Sequence, residues 1–379
     1  MEIYVVNPGD NVDRIAAQHQ VTAEQVIYAN QLVYPYELAV GQALFIPSYP
    51  DPKPERGAAA NGYAYTYISP WVLEQTLSYL TELSVFSYGV SNGGYLIPPP
   101  RDDVWMTEQA RAAGVLPILT LTPLGADGRF NNSLISAVVN SPQAKENLFA
   151  QLAQVMIQKG YGGLDIDFEY IKAEDRDAFT AFVGEAAERM HELGFQVSVA
   201  LAPKTSADQP GLLYEGKDYR ALGQAADHVL LMTYEWGYKY GPNMAVAPLN
   251  MVRRVVDYAV TEIPPEKIML GIPNYGYDWP LPFVRGETEA LTIGNVEAVR
   301  IAVRNGAQIQ FDPVAASPYF RYVREGTEHE VWFEDVRSLK DKYALVTEYG
   351  LRGCGFWQIM RLFRASWLLL SDTFWIEKR

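Results

Sequence analysis

Cysteine is nearly absent from this chain: 379 residues contain one, Cys354. A disulfide framework within the chain is therefore excluded, and a lone thiol in the apolar run CGFW reads as a small buried residue rather than a nucleophile. Histidine is scarce as well. His19, His191, His228 and His329 lie far apart without metal-ligand spacing, so no metal is expected. No Gly-rich dinucleotide fingerprint follows the first barrel-like strand, and no other cofactor is expected. Basic residues are in deficit, 31 Lys and Arg against 45 Asp and Glu, for a formal net charge of −14. A binder of phosphate backbones needs the opposite surplus, so nucleic acid is not an expected partner. Long apolar runs are missing too. WLLLSDTFWI is broken by Ser371 and Asp372 and is too short to span a bilayer, so no membrane partner is expected. The start, MEIYVVNPGD, has neither a basic n-region nor an apolar h-region, so no standard cleaved leader is expected. Oligomeric state leaves no trace in the composition.

What is present begins with a small unit over 1–49. IYVV is a short β run turned by Pro8-Gly9-Asp10, after which Asn11 or Asp10 caps a helix with Val12, Ile15 and Ala16 inside. Thr22 starts a second helix through TAEQVIYAN, and ALFIP closes the unit as a strand. Residues 50–61, rich in proline, charge and small side chains, read as a linker. From 62 to 379, short apolar strands alternate with helical segments, the pattern of parallel βα units. YAYTYISP, LSVFSYGV, LPILTLTP, GGLDIDFEY, QVSVALAP, HVLLMTY, KIMLGIPNYGY and GCGFWQIM supply eight strands, so the expected fold class is α/β, a (β/α)8 TIM barrel. A doubly wound open sheet is the alternative. The long interval between the last two strands predicts a small α+β insertion at about 280–350, near the barrel mouth.

The segment YGGLDIDFEY places Asp165, Asp167 and Glu169 at every second position. On a strand these share one face, with Leu164, Ile166, Phe168 and Tyr170 on the other. Both faces of a barrel strand are covered, and the apolar one suits the outer helices, so the acids point inward. Interior charge is costly unless paired, protonated or functional. Glu169, nearest the C-terminal mouth, is expected to have a raised pKa and to act as a general acid, with Asp165 and Asp167 sharing a proton or hydrogen bond beneath it.

Two resemblances follow from these residues. YVVNPGDNVDRIAAQHQVTAEQVIYANQL…LAVGQALFIP resembles a LysM domain, which implies a shallow groove for N-acetylglucosamine-containing glycans around Gly9, Asp10 and Asn11 and around Leu32 to Tyr36. GLDIDFE resembles the DxxDxDxE strand of glycoside hydrolase family 18. LMTYE, GIPNYGYDW and GFW match further motifs of that family in order. This resemblance implies substrate-assisted retaining hydrolysis without an enzyme nucleophile, with Glu169 as acid and base. Asp167 would orient the substrate acetamido group, Tyr234 would hold its carbonyl and Trp357 would floor the subsite. Glu235 is expected at a sugar or paired with Lys239 or Arg361; Asn274, Tyr275, Tyr277 and Trp279 are expected along the cleft, Trp279 as a platform. Three positions depart from the family pattern: Gly162 for the first Asp, LTLTP for Ser-x-Gly-Gly, and Glu235 for the Asp of Met-x-Tyr-Asp. The departures resemble the LysM-containing spore glycosidases of Bacillus-type bacteria, N-acetylglucosaminidases of peptidoglycan found at the spore or cell wall. A chitinase, or a silent glycan-binding spore protein, would share many of these features. Removal of 1–49 is expected to weaken wall attachment and spare small soluble substrates.

Overall fold

The computed structural model describes residues 2–48, 54–125 and 128–378. Eight parallel strands close into a barrel in the order Gly57–Tyr65, Glu82–Val90, Leu116–Leu121, Gly163–Ile166, Gln196–Leu201, His228–Leu231, Ile268–Pro273 and Gly353–Trp357. The eighth pairs with the first, Cys354 opposite Ala60, and the first with the second, Gly62 opposite Leu83, which completes the ring. All eight expected strands are present, and the doubly wound alternative is ruled out by that closure. The first strand starts earlier than expected. The expected linker takes in residues 57–61, but Ala58, Ala59 and Ala60 are buried strand residues. Small side chains carry little apolar signal, yet they let the strand pass close to its neighbours. Of the expected linker, residues 50–53 lie outside the described residues.

The outer face of the fourth strand packs as its alternation predicts. Leu164, Ile166 and Phe168 join the main core, and the Phe168 ring stacks on Phe182 at 5.7 Å. Tyr170 departs from that face. It has a left-handed backbone (φ 54°) and is exposed, because the strand has ended before it.

The insertion is a five-stranded antiparallel sheet that starts at Gly276 and ends at Trp332, with the helix Asn295–Arg304 packed on it. Its expected end near 350 is corrected: the helix Val336–Glu348 buries Leu339, Tyr343, Leu345 and Val346 in the barrel core and belongs there.

The N-terminal unit pairs Glu2–Val5 antiparallel with Ala43–Ile46 around two capped helices. Asn11 is the cap of the first, accepting from Arg14 N at 2.9 Å, and Thr22 forms a capping box with Gln25 in the second. The unit is docked firmly. Ala29 and Phe45 are buried with the barrel core, and Ala39 with the core of the insertion. Ile309 N donates to Val40 O at 2.9 Å and Arg364 N to Gln31 Oε1 at 2.7 Å, while the Arg364 guanidinium lies 3.9 Å from the centre of the Tyr28 ring. Gly41 has φ 83°, and a Cβ there would sit 1.9 Å from Ile309 O, so only glycine allows this approach.

Candidate active site

The acid ladder faces the barrel interior. Asp165 lies deepest and is fully buried; its oxygens accept from Ser198 Oγ at 2.7 Å and Tyr63 Oη at 3.0 Å. The expected hydrogen bond or shared proton with Asp167 is therefore replaced by two neutral donors from the first and fifth strands. Asp167 is also buried, and its Oδ1 has no hydrogen-bond partner among the described residues. Glu169 is half-buried at the wall of a cavity of about 500 Å³, which Asp167, Tyr234, Glu235 and Trp357 also line. Burial raises all three pKa values. For Asp165 the two donors oppose the rise. For Asp167 the charges of Glu169 and Asp165 add to it and hold the carboxyl well above its usual range.

One cation answers the upper two acids, Asp167 and Glu169, and sequence reading missed it. Lys217 is fully buried, donates from Nζ to Ala200 O at 2.6 Å, and lowers the pKa of both Asp167 and Glu169. Burial in turn pushes the ammonium pKa down, against the pull of the three carboxylates. Ala200 lies two residues beyond Ser198, the partner of Asp165 in the strand register, which places its carbonyl at the level of Asp167.

The vacancy left by the absent acid at Gly162 is filled. A Cβ at Gly162 would lie 2.2 Å from Leu116 Cδ1. At this depth the second strand supplies an acid instead: Glu82, wholly buried, with His228 Nε2 at 3.3 Å, Gln196 Nε2 at 2.8 Å and Arg352 at 3.7 Å. Burial disfavours its charge, but His228, Gln196 and Arg352 outweigh burial and hold its pKa at about 2.

The aromatic wall is broader than expected. Trp357 packs edge-on against Phe86 at 4.8 Å and against Tyr65 at 6.0 Å. Phe130, Tyr170, Tyr214, Trp236 and Tyr238 complete much of the lining. Tyr63 and Tyr65 were detectable, since NGYAYTY repeats tyrosine at the same period as the acids. Phe130 and Tyr214 sit on loops that carry no such period.

Several expected cleft residues have other roles. Trp279 is wholly buried with Nε1 donating to Gly241 O at 2.9 Å, so it presents no platform. Its strand lies inside the insertion sheet, covered on both faces. Asn274 braces the loop after the eighth strand, donating to Gln358 O at 3.0 Å and Arg361 O at 2.9 Å. Tyr275 and Tyr277 are buried and donate to the Glu235 carboxylate, Tyr277 at 2.9 Å. Glu235 is thus held by two phenols at the rim. Neither charged partner expected for it takes that place: Lys239 pairs with Glu289 at 2.5 Å, and Arg361 makes no ion pair among the described residues. Cys354 is buried in the eighth strand and its thiol pKa is pushed far up by burial.

In the N-terminal unit, Asp10 is committed to its own turn. It accepts from Tyr4 Oη at 2.7 Å and Asn7 N at 2.8 Å beside Gly9. The cavity at Leu32 is bounded by Val33, Tyr34 and Pro35 and by the insertion helix, rather than by Gly9, Asp10 and Asn11. Tyr36 is exposed, edge-on to Tyr34 at 5.8 Å.

Comparison with known proteins places both parts. The LysM domain model matches residues 4–47, and the model of glycosyl hydrolases family 18 matches residues 123–361. The chain is 38% identical to the cortical fragment-lytic enzyme of Bacillus subtilis, over 100% of this chain and 99% of that protein. It is 34% identical to the putative sporulation-specific glycosylase YdhD of the same organism, over 99% of this chain and 88% of the other. The crystal structure of the spore cortex-lytic enzyme SleL of Bacillus megaterium superposes with a TM-score of 0.94 at 33% identity, covering 100% of this chain and 99% of that one. The family model spans well over half of the chain, and the barrel carries its acid motif at the expected strand: the protein is a member of glycosyl hydrolase family 18 with an N-terminal LysM domain.

Proposed function

We propose that the chain is a retaining, substrate-assisted N-acetylglucosaminidase that cuts peptidoglycan, spore cortex in particular, and that residues 1–49 attach it to the wall. One observation carries this reading: Glu169, Asp167, Tyr234 and Trp357 line a single cavity at the C-terminal mouth of the barrel. The names of its relatives, a cortical fragment-lytic enzyme and a cortex-lytic enzyme, point to the same polymer and to the spore as its place of action.

In this mechanism Glu169 gives its proton to the glycosidic oxygen as that bond to the anomeric carbon breaks. The acetamido oxygen of the sugar attacks the anomeric carbon and forms an oxazolinium ion, which makes the enzyme an exception to the two-carboxylate rule. Asp167 holds the acetamido N–H, and Tyr234 donates to its carbonyl oxygen. Water then attacks the same carbon, returning its proton to Glu169. Burial raises the pKa of Glu169, which favours the protonated acid that the first step needs.

Mass-spectrometric mapping of products from purified cortex checks this reading. New reducing ends on N-acetylglucosamine are the expected outcome; reducing ends on muramic acid or its lactam alone would overturn it. Turnover of chitin oligomers with none of cortex would instead mark a chitinase.

The pH profile offers a second check. The ammonium of Lys217 favours the ionised forms of Asp167 and Glu169, so its removal raises both pKa values and lets the acid stay protonated to higher pH. Lys217→Met is therefore expected to move the alkaline limb of kcat to higher pH. The other charged groups near these acids, Asp165 below and Glu235 at the rim, are unchanged in the variant. An unmoved limb with normal thermal stability would show that Lys217 acts on packing alone.

A further inference from the structure

A second built cavity lies between the barrel mouth and the LysM domain. About 260 Å³ in volume, it is lined by Trp71, Asn274, Asn295, Arg300, Arg361 and Phe363, among others. It shares Gln31, Val296, Arg300 and Phe363 with a further cavity of about 270 Å³ under LysM residues Leu32 to Pro35. Its strand-end residues follow the seventh and eighth barrel strands, and Trp71 follows the first, so it opens on the same face as the cleft. Tyr67 is exposed and stacks on the cleft residue Tyr65 at 5.2 Å.

Three features suit this cavity to an anion. The helix Asn295–Arg304 begins in its wall, and Gly294 before it offers no side-chain cap to the free N–H groups. The Asn295 side chain is almost wholly buried in that wall; Oδ1 accepts from Glu334 N at 3.0 Å, while Nδ2 has no partner among the described residues. Arg361 is exposed and makes no ion pair among the described residues. Arg300 has only Glu297, at 4.0 Å. The same Glu297 carboxylate, the one acid in the cavity wall, is engaged by Arg304. In a chain of net charge −14 this cationic corner is a local exception. The exposed indole of Trp71 adds a flat apolar face beside it.

We infer that this cavity is a second carbohydrate site, which holds an N-acetylmuramoyl unit of the strand being cut whose side chain ends in a free carboxylate, the sugar against Trp71 and that carboxylate against Arg361, Arg300 and the helix N-terminus. The inference rests on the peptidoglycan reading. It commits to a muramoyl unit because the polymer's other sugar is uncharged and would leave the arginines unanswered. The site extends the cleft toward the LysM domain along one face of the molecule.

Calorimetry on the full chain silenced by Glu169→Gln tests it. The probes are glycan strands with free muramoyl carboxylates, the same strands with those carboxylates converted to the neutral amide, and N-acetylglucosamine oligomers of equal length. Arg361→Gln and, separately, Trp71→Ala are compared with the silenced parent. Arg361→Gln is expected to weaken binding of the carboxylate strands about tenfold, or about 1.4 kcal/mol, and to change the neutral probes less than about twofold. Trp71→Ala should weaken both muramoyl probes. Added salt should erase the preference for carboxylate. Equal losses across all probes for Arg361→Gln, or no loss for either variant, overturn the site. Failure of the peptidoglycan reading shows separately, as absence of cortex cleavage by the unmodified enzyme.

Discussion

An Asp167→Asn enzyme is expected to turn over substrate on the order of 10²-fold more slowly, or worse, the loss seen when one preorganised group facing developing charge is removed. The expectation comes from the place of the carboxylate. Asp167 is buried between Glu169 and Asp165, its Oδ1 lacks a partner among the described residues, and both neighbours raise its pKa. Such an arrangement is costly for a resting protein and is repaid when a substrate N–H arrives to share the charge. Asparagine keeps the shape but cannot take up positive charge from an oxazolinium ion. The measurement is kcat on a soluble oligosaccharide beside a thermal melt. A near-normal rate from a folded Asp167→Asn protein would sink the substrate-assisted mechanism. Stability should fall little and can rise, because the substitution removes a buried acid whose ionisation opposes folding. The sign follows from the raised pKa: the carboxyl folds more favourably when protonated, so that contribution is lost as pH climbs through its folded value.

The second large effect concerns the LysM domain. Removal of residues 1–49 is expected to lower the melting temperature by roughly 5 °C, in addition to weakening attachment to insoluble wall. Phe45 alone, buried at the junction, is worth roughly 1.5–3 kcal/mol. The hydrogen bonds of Arg364 and Ile309 to this domain add about 1 kcal/mol each. For a chain of this size, with about 2.1 cal/mol/K of unfolding entropy per residue, each kcal/mol moves the midpoint by about 1–2 °C. Differential scanning calorimetry of the two forms decides it; equal midpoints would show that the domain is merely tethered. The expectation that hydrolysis of small substrates survives the deletion then holds only at temperatures where the uncovered barrel stays folded.

The acid ladder was legible because it combined a strict period of two with side chains that the interior tolerates only for cause. The same period held Tyr63 and Ser198, but tyrosine and serine are unremarkable in strands, so nothing singled them out as the partners of Asp165. Lys217 lay beyond such reading, since it comes from a loop and reaches the acids only after the chain has closed into a barrel. Trp279 shows the reverse failure. Its motif and its position after a barrel strand both pointed to the cleft, yet the chain there enters a second sheet, opposite Glu330, and turns the indole inward. The barrel's start was hidden by alanines, and the true end of the insertion by a helix whose apolar side does not announce which core it joins.

Gly162 and Leu116 are a linked choice. The Leu116 side chain occupies the space into which an aspartate at 162 would grow, with Cδ1 2.2 Å from a Cβ placed there. Restoring the acid alone overpacks that corner, at a cost of about 1–3 kcal/mol; trimming Leu116 alone leaves a gap. Each single step goes downhill in stability, and only the pair together returns to level ground. The two positions therefore act as one unit of exchange: an acid can return at 162 without strain only together with a smaller residue at 116.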